Sequence, residues 1–252
     1  MRTTLLALAI LATPLCVRGD DDFASLVRKG DAFDAQLKTK EALEVYLQAE
    51  KLQPNDADVL HKIAKQHGES MDDFAESDKA PRKVAAQKSL DYAKRSVAAD
   101  ARNATAHLAL AVAYGRLAPL LDNKTKIAYS KLVKEEVDKA IALDGKNDLA
   151  YHVLGAWNFE LANLNPILRA IAKVIYGELP AASNQDAVKA FRKAIELNPK
   201  RVGNYIELGR TYAEMGQKDL AKAALEKGLA LPNGQRDDEG VKQRGRDALR
   251  KL

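Results

Sequence analysis

The chain has one cysteine, Cys16, in 252 residues. That excludes a disulfide framework, and beyond residue 16 it excludes thiol chemistry altogether. Histidine is nearly as scarce. His61, His67, His107 and His152 form no His-x-x-x-His pair and no Cys/His cluster, so neither a protein-ligated metal nor a cofactor is expected. There is no Gly-x-Ser-x-Gly elbow, no phosphate-binding loop and no dinucleotide glycine pattern, and the chain reads as not an enzyme. The acidic pairs Asp72-Asp73 and Glu135-Glu136 are adjacent in sequence. Neighbours on a helix point roughly 100° apart, so these pairs read as surface charge rather than as one site. Aromatics make up only 6%. Alternating strand-like runs with Gly/Asn turns are absent, while Ala, Leu, Lys and Glu abound. The expectation is an all-α protein.

The first 19 residues differ from the rest. Met1-Arg2 is a short positive start, residues 3–17 are apolar and contain Pro14, and Gly19 precedes three aspartates. This is the layout of a secretory signal peptide, with Val17-Arg18-Gly19 as the cleavage site. An uncleaved anchor or organelle targeting segment is the other reading. Export would place the protein in a secreted, periplasmic or secretory-lumen location. The triplets Asn103-Ala104-Thr105 and Asn123-Lys124-Thr125 are then candidate glycan acceptors. Net charge is +5 and diffuse, densest over residues 79–95. Aromatics do not interleave with these lysines and arginines, so nucleic acid is not an expected partner.

What is present is a repeat. Residues 202–235 run Tyr205-x-x-Leu208-Gly209-x-x-Tyr212, then Ala221-x-x-x-Leu225, then Gly228 and Leu231-Pro232. This is the 34-residue tetratricopeptide (TPR) pattern of paired helices. A small residue at position 8 lets two helices cross closely, against position 20 of the second helix. Large residues fill the space around, and proline stops the second helix. Residues 23–56 repeat the pattern with Leu26, Gly30, Phe33, Ala42, Tyr46, Ala49 and Pro54. Stretched copies lie between, over 57–103, 104–147 and 148–201. Residues 236–252 read as an amphipathic capping helix with Asp237 and Asp238 as candidate caps. The expected fold is therefore a TPR-like right-handed helical solenoid over residues 20–252. It has about five helix pairs with inserted helices.

The largest insertion holds Asn165-Pro166 followed by Ile167, Leu168, Ile171, Val174 and Ile175 on one helical stripe. The stripe reads as extra core on its own stack or, alternatively, as a partner or lipid surface acting with the basic 79–95 stretch. First helices line the concave face of such arrays. The residues at that face give a groove with an apolar middle (Leu108, Val112, Leu149) and cations toward its ends. The candidate contact residues are Lys62, Lys65, His152, Trp157, Ile206 and Arg210. Trp157 follows the small Ala156 and has a second reading as core. A terminal-carboxylate clamp is not expected, because positions 5 and 9 of the first unit are Val27 and Asp31. The expected function is a non-enzymatic protein-binding scaffold that holds a peptide or amphipathic helix. A lipid or anionic membrane surface is the alternative partner.

Residues 151–164, Tyr-His-Val-Leu-Gly-Ala-Trp-Asn-Phe-Glu-Leu-Ala-Asn-Leu, continue through Arg169 and Ala172 to Tyr176-Gly177-Glu178-Leu179-Pro180, then Ala187, Phe191, Ala194 and Asn198-Pro199. This run resembles the regulator of microtubule dynamics family of TPR-like proteins. The resemblance implies a non-enzymatic all-α domain and microtubules as a partner, with a cytoplasmic, microtubule- or organelle-associated location. Two departures stand out: no second aromatic near Asn165 and no basic residue near Ala156.

Overall fold

A computed structural model describes residues 22–252. The proposed export signal in residues 1–19 lies outside the described residues. Among those described, twelve α-helices and two short 3-10 turns carry the chain, with no strand. α1 (Phe23–Asp34) pairs with α2 (Thr39–Leu52), and α3 (Ala57–Glu69) pairs with α4 (Lys79–Ala99). α5 (Ala104–Leu117) pairs with α6 (Asn123–Leu143), and α7 (Asp148–Ala162) pairs with α9 (Asn184–Leu197) across an inserted α8 (Pro166–Tyr176). α10 (Val202–Glu214) pairs with α11 (Lys218–Ala230), and α12 (Asp238–Leu249) packs on both. The architecture is an all-α TPR-like solenoid.

Local chemistry explains the starts. Asp22, Asp56, Asn103 and Asn147 stand before α1, α3, α5 and α7, and each side chain accepts a hydrogen bond from the first helical turn. Each satisfies an N–H group the helix leaves orphaned. Asn103 is doubly committed, since its amide also donates to Asp58 at 2.8 Å. A glycan there would disturb the cap and this bond. Pro54, Pro199 and Pro232 follow the ends of α2, α9 and α11 within two residues.

The glycines of the repeat explain the pairing. A Cβ on Gly30 would sit 2.4 Å from the Tyr46 ring, one on Gly155 2.7 Å from Phe191, and one on Gly209 2.6 Å from Leu225. Tyr46, Phe191 and Leu225 are fully buried. The space each glycine leaves is filled by the large residue at position 24 of its unit, four beyond the small residue at position 20.

α8 departs from the extra-core expectation. It begins at Pro166 under an Asn165 cap and ends at Gly177, whose φ of +79° glycine adopts freely. It packs against α6, with Ala172 fully buried. Ile167 remains 70% exposed and Val174 84%, because the aliphatic arc is wider than the strip α6 covers. The main packing partner of α8 is α6 and not the basic stretch on α4. There Arg82 donates to the Met71 and Phe74 carbonyls, and Arg95 pairs with Glu50.

Candidate functional site

The first helices of the middle pairs, α3, α5 and α7, line two adjoining cavities. The smaller, about 310 Å³, lies between α3 and α5 and includes Lys62, Lys65, Leu108 and Val112 in its wall. The larger, about 500 Å³, lies among α5, α6 and α7, walled by Ile127, Val133, Val153, Trp157 and Leu161. Val112, Arg116, Leu149 and Asp237 belong to both. Together these cavities form the groove. They are of the size that receives several side chains or one small ligand.

The candidate residues separate into two groups. Lys62 and Lys65 line the smaller cavity, and His152 and Trp157 the larger. Trp157 is only 6% exposed; its Nε1 donates to the Ser130 carbonyl at 2.9 Å, and Lys134 lies over its ring. It is both core and wall. Arg210 lines neither cavity; it pairs with Glu207 at 2.6 Å and lies over Phe159. Ile206 is fully buried, so the groove position expected for it is corrected. α12 covers it, and a Cβ on Gly245 would meet Ile206 Cδ1 at 2.6 Å.

The rim of the smaller cavity is charged but internally neutralised. Lys62 Nζ lies 2.5 Å from Asp31 Oδ1, which also accepts from Tyr46 Oη at 2.7 Å. Burial raises the Asp31 carboxyl's pKa, but the hydrogen bonds from Lys62 and Tyr46 outweigh it and hold the pKa below its ordinary value. Lys65 reaches both carboxylate oxygens of Asp34 at 2.7 Å and Glu69 at 3.5 Å. Burial keeps the Glu69 carboxyl above its ordinary range. Arg201 pairs with Asp148 at 2.5 Å. His152 Nδ1 lies 2.8 Å from Asn204 Oδ1, and the ring meets Phe191 edge-on. Burial lowers the pKa of His152, which leaves the ring neutral at pH 7.

A strap closes one side of the groove. Residues 233–237, between α11 and α12, bring Arg236 onto Asp73, 163 positions away in sequence. Arg116 extends from the end of α5 and donates to the Gly68 carbonyl at 2.7 Å. It also lies 3.5 Å from Asp72 and 3.7 Å from Asp237. Asp238 is buried and accepts from the backbone N–H groups of Gly234 and Gln235, both at 2.7 Å. Neither aspartate caps α12 in the ordinary way: Asp237 is held toward Arg116, and Asp238 shapes the strap. Asp72 and Asp73 are likewise more than surface charge, since each anchors one side of the clasp. The sequence carried one cue to Arg116, a lone cation on the apolar helix α5. Among the described residues no group of three His, Cys, Asp or Glu side chains is placed to hold a metal.

A family model described as Regulator of microtubule dynamics protein 1-3 matches residues 26–252. Regulator of microtubule dynamics protein 1 of Mus musculus is 28% identical over 187 residues, 74% of this chain and 61% of that protein. Regulator of microtubule dynamics protein 3 of Bos taurus is 26% identical over 229 residues, 89% of this chain and 48% of that protein. The match thus spans about half to three fifths of these relatives' length. Among solved structures, a thermophilic TPR protein of Thermus thermophilus superposes with a TM-score of 0.64 at 18% identity. The match covers 90% of this chain and 99% of that one. Pseudomonas aeruginosa pilF gives 0.54 at 12% identity, covering 91% of this chain and 87% of that one. These two likenesses concern the fold alone.

Proposed function

This chain belongs to the regulator of microtubule dynamics family, and from that premise we propose that it is a non-enzymatic interaction module whose groove receives apolar side chains of a partner protein. The observation that carries this reading is the contrast between wall and rim. The walls of the larger cavity are largely aliphatic, and the cations around the smaller one, Lys62, Lys65, Arg116, Arg201 and Arg236, each already hold a carboxylate of this chain. A partner would therefore be held by burial of apolar surface, at about 25 cal/mol per Å², and not by a clamp on a carboxylate. Cavities of about 310 and 500 Å³ suit inserted side chains or an extended segment better than a whole helix, about 10–12 Å across.

The test is photo-crosslinking. A photoreactive residue at Leu149, which lines both cavities, is expected to capture a partner segment. The same residue at Val84, 57% exposed on α4, is expected to capture none. Equal capture from both sites would rule out the groove as the binding site. Recovery of an acyl lipid in place of a protein segment would overturn the protein-partner reading in favour of the lipid alternative. The relatives are named for microtubule dynamics, so microtubules are the first partner to try. Location bears on that choice. Mature protein that begins at Asp20 supports export through residues 1–19, whereas an intact Met1 supports a location where microtubules are within reach. No described helix is long and apolar enough to cross a membrane.

A further inference from the structure

We propose that the corner formed by α6 and α8 is a docking surface for an anionic lipid bilayer. α8 carries Arg169 and Lys173 and no acidic residue, and its flanks from 161 to 177 add none. The first part of α6, residues 123–134, carries Lys124, Lys126, Lys131 and Lys134 and again no acidic residue. The two helices pack together. Tyr176 Oη meets Ser130 Oγ at 3.2 Å, so the end of α8 lies beside the middle of α6, one residue from Lys131. Of these six cations, only Lys134 has a carboxylate partner among the described residues, Asp138 at 2.5 Å. Lys126 also lines the larger cavity; the other unpaired four contrast with the cations around the smaller cavity, each of which holds a carboxylate.

The apolar component lies on the same helix. Ile167 and Val174 are the two most exposed large hydrophobic side chains of the described residues, at 70% and 84%. They stand seven positions apart, two turns along one stripe, with the exposed Ala170 between them. A short helix with bare aliphatics on one side and cations on the next is the pattern of an element that lies in a membrane interface. A second copy of this chain is a poor occupant, because it would set cations against cations. A protein partner is also disfavoured. An eleven-residue helix is about 16 Å long, and a stable protein interface needs about 800 Å² per side. A bilayer needs only a few inserted side chains together with a diffuse positive field. The inference does not depend on what the groove holds.

The test uses the full chain with Cys16→Ser and an environment-sensitive fluorophore on Val174→Cys. Mixed phosphatidylserine/phosphatidylcholine vesicles are compared with pure phosphatidylcholine. The control label is at Leu220→Cys, an exposed position on α11. The label at 174 is expected to brighten and to be quenched by spin-labelled acyl chains on the anionic vesicles only. The label at 220 is expected to stay unchanged. Lys124→Gln, Lys131→Gln and Lys173→Gln together are expected to weaken partition roughly a hundredfold, and high salt to weaken it in the same direction. A water-like signal at 174 while the chain floats would place binding elsewhere and overturn the proposal. An equal response to neutral vesicles, or an equal response to polyglutamate, would also overturn it, the latter in favour of an acidic protein surface. Unchanged melting temperatures show that the variants remain folded.

Discussion

Replacing Arg116 with Met should open the strap without dismantling the stack. The guanidinium makes one charge-assisted hydrogen bond, to the Gly68 carbonyl at 2.7 Å, and two longer ion pairs, to Asp72 and Asp237. The hydrogen bond contributes about 1.5–3 kcal/mol. The side chain is about a quarter exposed, so solvent screens the ion pairs to about 0–1 kcal/mol each. Methionine retains most of the aliphatic stem, so little packing is lost. The loss is then about 1.5–5 kcal/mol, which for a chain of this size lowers Tm by roughly 3–20 °C. The strap itself is read through Trp157, the sole tryptophan, which forms part of the larger cavity's wall. Acrylamide should quench its fluorescence more strongly in Arg116→Met than in the parent. High salt should move the parent toward the variant, because the clasp pairs are partly exposed. A lowered Tm with unchanged quenching would contradict this: Arg116 would then stabilise the fold without controlling access to the groove.

Three other expectations follow from the packing. Gly155→Ala drives a methyl into the Phe191 ring, 2.7 Å away, and should cost about 1–3 kcal/mol; adding Phe191→Leu should recover part of that cost, and strict additivity in urea melts would count against the contact. Ile206→Ala should cost about 2–5 kcal/mol and weaken partner capture only in proportion to unfolding, whereas lost capture at unchanged stability would return Ile206 to the groove. Burial holds the pKa values of His61, His67 and His152 below the ordinary histidine value; histidines depressed in the folded state favour folding fully above a pH of about 6.5, and that contribution falls as the pH drops further. Urea midpoints should therefore decrease from pH 7.5 to pH 5, and a flat profile would contradict the burial of these rings.

The fold was legible because the repeat writes its packing into spacing. Gly30, Gly155 and Gly209 stand where Tyr46, Phe191 and Leu225 press against the opposite helix, and that pairing is local, within about 40 residues. The strap was not legible. Arg236 and Asp73 are 163 residues apart, and their meeting depends on the summed rotation of every unit between them. Asp237 and Asp238 looked like helix caps because acidic residues before a helix usually are. Only the closed arrangement shows that Arg116 and the strap backbone take them instead. Ile206 misled for a related reason. Its position faces whatever follows the last pair, and here α12 follows and covers it. α8 was readable as an amphipathic helix, but the width of the strip that α6 covers decides which aliphatics stay bare. That width is a property of packing rather than of pattern.

Whether the groove itself holds the partner is read most simply from the yield of the Leu149 crosslink after Val112→Trp. Val112 lines both cavities, so an indole there takes up the space a partner side chain would occupy. The yield is expected to fall about tenfold or more, the equivalent of one excluded apolar side chain, with Tm unchanged. An undiminished yield from a folded variant would mean that the partner never enters the groove.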